Sequence, residues 1–135
     1  MFQLHSRLNA DTTLILSLDV CQILLMNDSR FPWIILVPAR PDLKEIHDLS
    51  SEDYTKVMAE TLKCSEVMAA LFGADKMNMA ALGNMVPQLH IHIIARFKDD
   101  AAWPAPVWGV GDAIPYTASD LEKRSTLIGN ALSAL

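Results

Sequence analysis

Gln88-Leu89-His90-Ile91-His92-Ile93-Ile94-Ala95-Arg96 alternates polar and apolar residues strictly from 88 to 93. A period of two is that of a β-strand, whose successive side chains point to opposite faces. The pattern predicts a strand over 88–97. Gln88, His90 and His92 should project from one face, and Leu89, Ile91 and Ile93 from the other, into a core. Two of the chain's four histidines would then stand in one row with a glutamine, on an element rigid enough to hold a chemical constellation. The solvated face of an edge strand would show the same alternation, but three large aliphatics behind the histidines favour a built site.

Working outward, Gly83-Asn84-Met85-Val86-Pro87 reads as the loop into this strand, and 76–82 as the strand before it. Further upstream, Tyr54, Val57, Met58, Thr61, Leu62, Ser65, Met68 and Phe72 recur at helical spacing. Ser50-Ser51-Glu52-Asp53 supplies a capping hydroxyl and acids for that helix's first turn, and Gly73 a C-cap. Its methionines read as core filler, and 42–48 as a helical turn. Three short strands precede it: 13–18 with Leu14, Leu16 and Leu18 on one face, 20–27, and 33–37, closed by Pro38. Asn27-Asp28-Ser29-Arg30 is turn chemistry. The tight connections predict an antiparallel meander, because parallel pairing needs a longer crossover. After 99 the chain turns irregular, with Pro104, Pro106, Gly109, Gly111 and Pro115, before a capping box at Ser119-Asp120-Leu121-Glu122 opens a last helix to about Ala134.

At 135 residues, 51% hydrophobic and 20% charged, the chain is expected to form a single globular domain, residues 1–135, with its core over about 13–98. A net charge of −5 argues against a surface that coats nucleic acid, although backbone amides can still build a local anion site. Cys21 and Cys64 are isolated in apolar runs and read as buried free thiols of a reduced compartment. No signal-peptide layout opens the sequence, and its longest nearly apolar run, 31–39, is too short for a bilayer. The expectation is a soluble cytoplasmic protein with no membrane partner.

A His-x-His strand suits three chemistries. Metal chelation needs further ligands, yet Arg96 follows the pair and the nearest acids are Asp99 and Asp100. One histidine can act as general acid or base with the other in support. Or a neutral imidazole can attack phosphorus, provided its second ring nitrogen donates to a fixed acceptor such as a strand carbonyl.

Gln88-Leu89-His90-Ile91-His92-Ile93-Ile94 resembles the signature of the histidine triad (HIT) superfamily, His-φ-His-φ-His-φ-φ with φ apolar, except that Gln88 stands for the first histidine. Ala95-Arg96 resembles the Pro-Arg that often follows, Gly83 to Pro87 the Gly-Gln-Ser/Thr-Val segment upstream, and Asn27 to Pro38 the Asp/Asn-turn-strand-Pro segment. The resemblance implies an α+β fold: a five-stranded antiparallel sheet with one long helix packed on it, plus an irregular C-terminal tail and helix. It implies a nucleoside-monophosphate hydrolase or nucleotidyl transferase acting on a phosphoramidate or phosphoanhydride of a purine nucleoside monophosphate, as a symmetric homodimer. A nucleotide-binding module with little catalysis is the alternative.

Carried over by motif position, His90 is the nucleophile and His92 contacts phosphate or helps the leaving group. Asn27 matches the ribose-holding residue, Asn84 the glutamine that contacts the phosphate or leaving group, and Asn78 an asparagine near the same site. Gln88 serves the nucleophile through its backbone carbonyl, which any residue keeps. Trp33 stands where an upstream histidine often supports the triad, and Met85 replaces a phosphate-contacting Ser/Thr. No cofactor and no metal is called for. Arg96 reads as a surface or dimer salt bridge, Trp103 and Trp108 as packing of the tail, and His5 and His47 as solvated.

Overall fold

The computed structural model describes residues 1–134. Leu135, part of the expected domain, lies outside them. The strands β1 (Thr12–Ser17), β2 (Cys21–Met26), β3 (Trp33–Pro38), β4 (Lys76–Ala80) and β5 (Ile91–Arg96) form one antiparallel sheet in the order β1-β2-β3-β5-β4. A short helix α1 (Ser6–Asp11) precedes β1, α2 (Ser51–Phe72) joins β3 to β4, and α3 (Ala118–Ser133) closes the described chain. The α+β class and the five-stranded sheet are as the sequence implies.

Side-chain alternation splits the core across the sheet. Ile23, Leu25, Ile34, Leu36, Ile91 and Ile93 face α2 and α3, meeting Val57, Cys64, Met68, Ile128 and Leu132. Leu24, Trp33, Ile35, Val37 and Ile94 face the other way, under α1 and the tail, against Leu8, Phe31, Val86, Ala102 and Val107. Leu89, Ile91 and Ile93 are buried on the helix side, so His90 and His92 fall on the tail side.

Helix α2 has the expected ends: the Ser50 hydroxyl accepts from the Asp53 amide, and Gly73 sits in the left-handed region at φ 62°. Its buried stripe is Val57, Thr61, Cys64 and Met68, whereas Tyr54 and Leu62 open to solvent on its flank. The turn over 42–48 tightens to a 3₁₀ turn at Ile46–Asp48. Both cysteines are buried free thiols, and burial, aided by the nearby Glu60 carboxylate, pushes Cys64 up to about 12.

Four expectations need correction. In β1 a bulge between Leu14 and Leu16 breaks the alternation, so Leu14 turns out to solvent while Ile15 and Leu16 both reach the core. α3 lies close on this strand: a Cβ at Gly129 would sit 3.3 Å from Ile15 Cγ2. α3 starts two residues early, because Thr117, not Ser119, caps it by accepting from the Asp120 amide. The strand of 88–97 begins only at Ile91; ahead of it the Leu89 amide bonds the Leu43 carbonyl instead of a sheet neighbour. Last, α1 was not anticipated at all. It is one short helix capped by His5, whose half-buried, still solvent-accessible side chain accepts from the Arg7 amide through Nδ1.

Candidate active site

His90 stands at the lead-in to β5 and His92 on the strand itself, their rings 4.9 Å apart and edge to face. Both are largely buried, yet both line a cavity of about 350 Å³. Its walls come from α1 (Arg7, Leu8, Asp11), β1 and β2 (Thr12, Met26), β3 (Trp33, Ile35), the loop at 82–86 and Trp108 of the tail. The lining is mainly apolar around two imidazoles, the character of a pocket for a flat organic group with a reactive end.

Each imidazole has one nitrogen committed. His90 Nδ1 lies 2.7 Å from the Gln88 carbonyl oxygen. A carbonyl only accepts, so Nδ1 carries the proton and Nε2 keeps its lone pair. His92 has the opposite assignment. The Trp33 indole N–H donates to His92 Nδ1 at 3.0 Å. An indole nitrogen only donates, so His92 Nδ1 is bare and its proton sits on Nε2. Strand register explains the contact: His92 pairs with Ile35, and Trp33 is two residues along the same face, a diagonal an aromatic side chain can span. Burial, with a smaller effect from His90, lowers His92 from 6.5 to about 4, so it is neutral at pH 7. The site thus holds His90 with its Nδ1 committed and its Nε2 free of protein partners, beside a neutral His92 that presents an N–H.

Of the remaining expected residues, Asn84 lies on the cavity wall, beside Gly83 and the exposed Met85. Gln88 contributes its carbonyl to His90, but its side chain turns toward the N-terminal segment, accepting from the His5 amide and donating to the Gln3 carbonyl. Asn27 and Asn78 do not line the cavity. Asn27 Oδ1 accepts from the Tyr116 amide, and Asn78 Oδ1 accepts from Arg96 Nη1. Arg96 is no surface residue: it is 1% exposed and forms a two-pronged ion pair with Asp100 at 2.7 and 3.0 Å. Burial pushes the Asp100 carboxyl up, but Arg96 and the amides of Phe97, Ala102 and Trp103 outweigh it and hold it far below the usual range.

Sequence reasoning missed two parts of the site. Trp33 was read as a departure and not as the partner of His92; its position opposite the histidine strand was the available signal. Arg7, Leu8 and Asp11 carried no signal, because one turn of helix has no periodicity to read. Among the described residues, no group of three His, Cys, Asp or Glu side chains comes together as a metal site. None of the described helices is long and apolar enough to cross a membrane.

A family model, the HIT domain, matches residues 7–99. The chain belongs to the HIT family. A histidine triad protein from Marinobacter aquaeolei is 47% identical over 100% of this chain and 98% of its own, with a TM-score of 0.97. One from Bradyrhizobium japonicum is 42% identical over 97% and 98%, with a TM-score of 0.94. The diadenosine triphosphate hydrolase of Plasmodium falciparum, 18% identical over 99% of this chain and 82% of its own, shares the fold at a TM-score of 0.63. None of the curated proteins matches the chain. The HIT fold is thus one that nucleotide hydrolases use.

Proposed function

We propose that this HIT protein is a nucleoside-monophosphate hydrolase or nucleotidyl transferase that works through a nucleotidyl-histidine intermediate on His90. The observation that carries the reading is the 2.7 Å bond from His90 Nδ1–H to the Gln88 carbonyl, which leaves Nε2 as the nitrogen aligned for attack in the wall of an apolar cavity. His92 Nε2–H and the Asn84 amide supply hydrogen bonds to the phosphoryl oxygens as charge develops. The nucleoside, a purine by family resemblance, packs on Leu8, Met26, Ile35 and Trp108. Asp11, on the same wall, takes the sugar hydroxyls in place of Asn27. The protein works in the cytoplasm as a homodimer.

Incubating the protein with radiolabelled nucleotide conjugates and quenching within one turnover tests this. Wild type should trap a nucleotidyl group on His90. His90→Ala should lose the label and nearly all turnover while still binding nucleotide. Gln88→Ala should still label, because the carbonyl that orients His90 remains. Wild-type hydrolysis by His90→Ala would overturn the mechanism. A second reading, nucleotide binding without catalysis, is favoured by the apolar lining and the Gln88 side chain turned away; it predicts affinity with no label at all.

A further inference from the structure

Trp33 does more than fill space beside His92. Its N–H occupies His92 Nδ1, and His92 can become an imidazolium only if that nitrogen also gains a proton, which would set two N–H groups against each other at 3.0 Å. Nor can His92 give its Nε2 proton away: the indole does not release a proton to the other nitrogen, so the product would be an imidazolate. What surrounds the ring works the same way. Trp33 and Ile35 on β3, Ala80 opposite it on β4 and Trp108 on the tail are uncharged. The titratable group acting on His92 is His90, which disfavours added positive charge. The charged groups of the cavity wall, Arg7 and Asp11, belong to α1 and pair with each other at 3.7 Å.

We propose that Trp33 makes His92 a fixed hydrogen-bond donor and not a general acid, and so directs the site toward leaving groups that depart as anions, phosphate or carboxylate, and away from amines. The inference rests on the nucleotidyl-histidine reading above. In the first step the His90 Nε2 lone pair forms a bond to the α-phosphorus. The bond from phosphorus to the leaving oxygen breaks, and its electron pair leaves with a phosphate or carboxylate that needs no proton. In the second, water attacks phosphorus, the N–P pair returns to Nε2, and the proton of water passes to the nucleoside monophosphate or to solvent. An amine leaving group requires a proton as the P–N bond breaks, and Trp33 has removed the neighbouring imidazole as its source.

Two measurements test this. Long-range ¹H–¹⁵N spectra of ¹⁵N-histidine protein, with His92→Gln for assignment, should show His92 as the Nε2–H tautomer, unchanged from pH 8 to 5. In Trp33→Phe, where Nδ1 loses its donor, the Nδ1–H tautomer should appear and protonation of the ring should begin at a higher pH than in the wild type. In parallel, kcat/KM is compared for two conjugates of one nucleoside monophosphate, an anhydride with phosphate and an amidate. Trp33→Phe should shift the ratio toward the amidate by about a hundredfold, the low end of what a positioned general acid supplies, with amidate turnover now rising relative to the anhydride as pH falls. A wild-type His92 that is Nδ1-protonated or titrates near 6.5 overturns the proposal, as does a ratio that Trp33→Phe leaves unmoved. Should Trp33→Phe not fold, the wild-type spectra and the wild-type profiles decide alone: amidate turnover that rises relative to the anhydride's as pH falls overturns it. Turnover of neither substrate, with the tautomer as stated, refutes the leaving-group preference together with the nucleotidyl reading but leaves the grip of Trp33 on His92 standing.

Discussion

At the scale of single residues, the site is set by partners that can play only one hydrogen-bonding part: a carbonyl for His90, an indole for His92. Keeping His92 buried and neutral has a cost that depends on pH. Its folded value, about 4, lies below its ordinary 6.5, so between those values the unfolded chain binds more protons than the folded one. The stability associated with His92 is therefore complete above pH 6.5 and is lost as pH falls to about 4, by about 3 kcal/mol in all. Urea unfolding across that window should show the loss, and His92→Asn should flatten it; equal slopes for the two proteins would mean that His92 is protonated when folded. Asn27 gives a second prediction. Its side chain holds the Tyr116 amide, so Asn27→Ala should weaken ribonucleotide and deoxyribonucleotide binding equally, through the loosened tail. Asp11→Ala should instead cost roughly 1–3 kcal/mol with the ribonucleotide and much less with the deoxy form, the range for a polar partner left unpaired. Calorimetric titration of both sugars separates the two roles, and a selective loss in Asn27→Ala would return the sugar to Asn27.

At the scale of elements, the end of β5 anchors the tail that roofs the cavity. Arg96 is enclosed by Asp100, the Asn78 side chain, the Ala105 carbonyl and the rings of Phe31 and Trp103. Removing one charge from a buried pair leaves the other uncompensated, so Asp100→Asn should destabilise the protein by roughly 3–5 kcal/mol. Denaturant melts should read this directly, and a loss under 1 kcal/mol would show that the tail holds without the pair. None of this was visible in the sequence, where Arg96 looked like a surface charge, because what buries it arrives from β4, from the turn ahead of β3 and from beyond residue 100. The legible parts were those with an unbroken local period or a local cap: the alternation of Leu89, Ile91 and Ile93, and the ends of α2 at Ser50 and Gly73. Leu14 was misread because a bulge shifts the period without a mark in the sequence. The side chain of Gln88 was misread because it precedes the strand whose period it continues, and so is free to turn to Gln3 and His5. His90 and His92 were legible as a pair, whereas Trp33 as their partner was not, since that contact needs β3 beside β5, an order no local pattern encodes.

At the scale of the molecule, the sheet ends in β1 and β4. β1 is flanked by α1 and α3, both of which pack on it. β4 carries Met79, about half exposed, on an edge strand whose other side is taken by β5. An unprotected edge with a large apolar side chain invites pairing with another chain. Beside it, α2 contacts β4 and leaves Tyr54 and Leu62 in solvent, 48% and 62% exposed. Two apolar features on neighbouring elements suit an isologous contact, in which each copy offers the same patch to the other. A homodimer through α2 and β4 should therefore sediment at twice 14.9 kDa at low micromolar concentration. Leu62→Glu combined with Met79→Glu should give monomers, because each dimer would then bury four like charges that have no partners. A wild-type protein that sediments only at 14.9 kDa, or a double variant that still dimerises, would mean that these side chains are ordinary exposed hydrophobics and that any association uses another face.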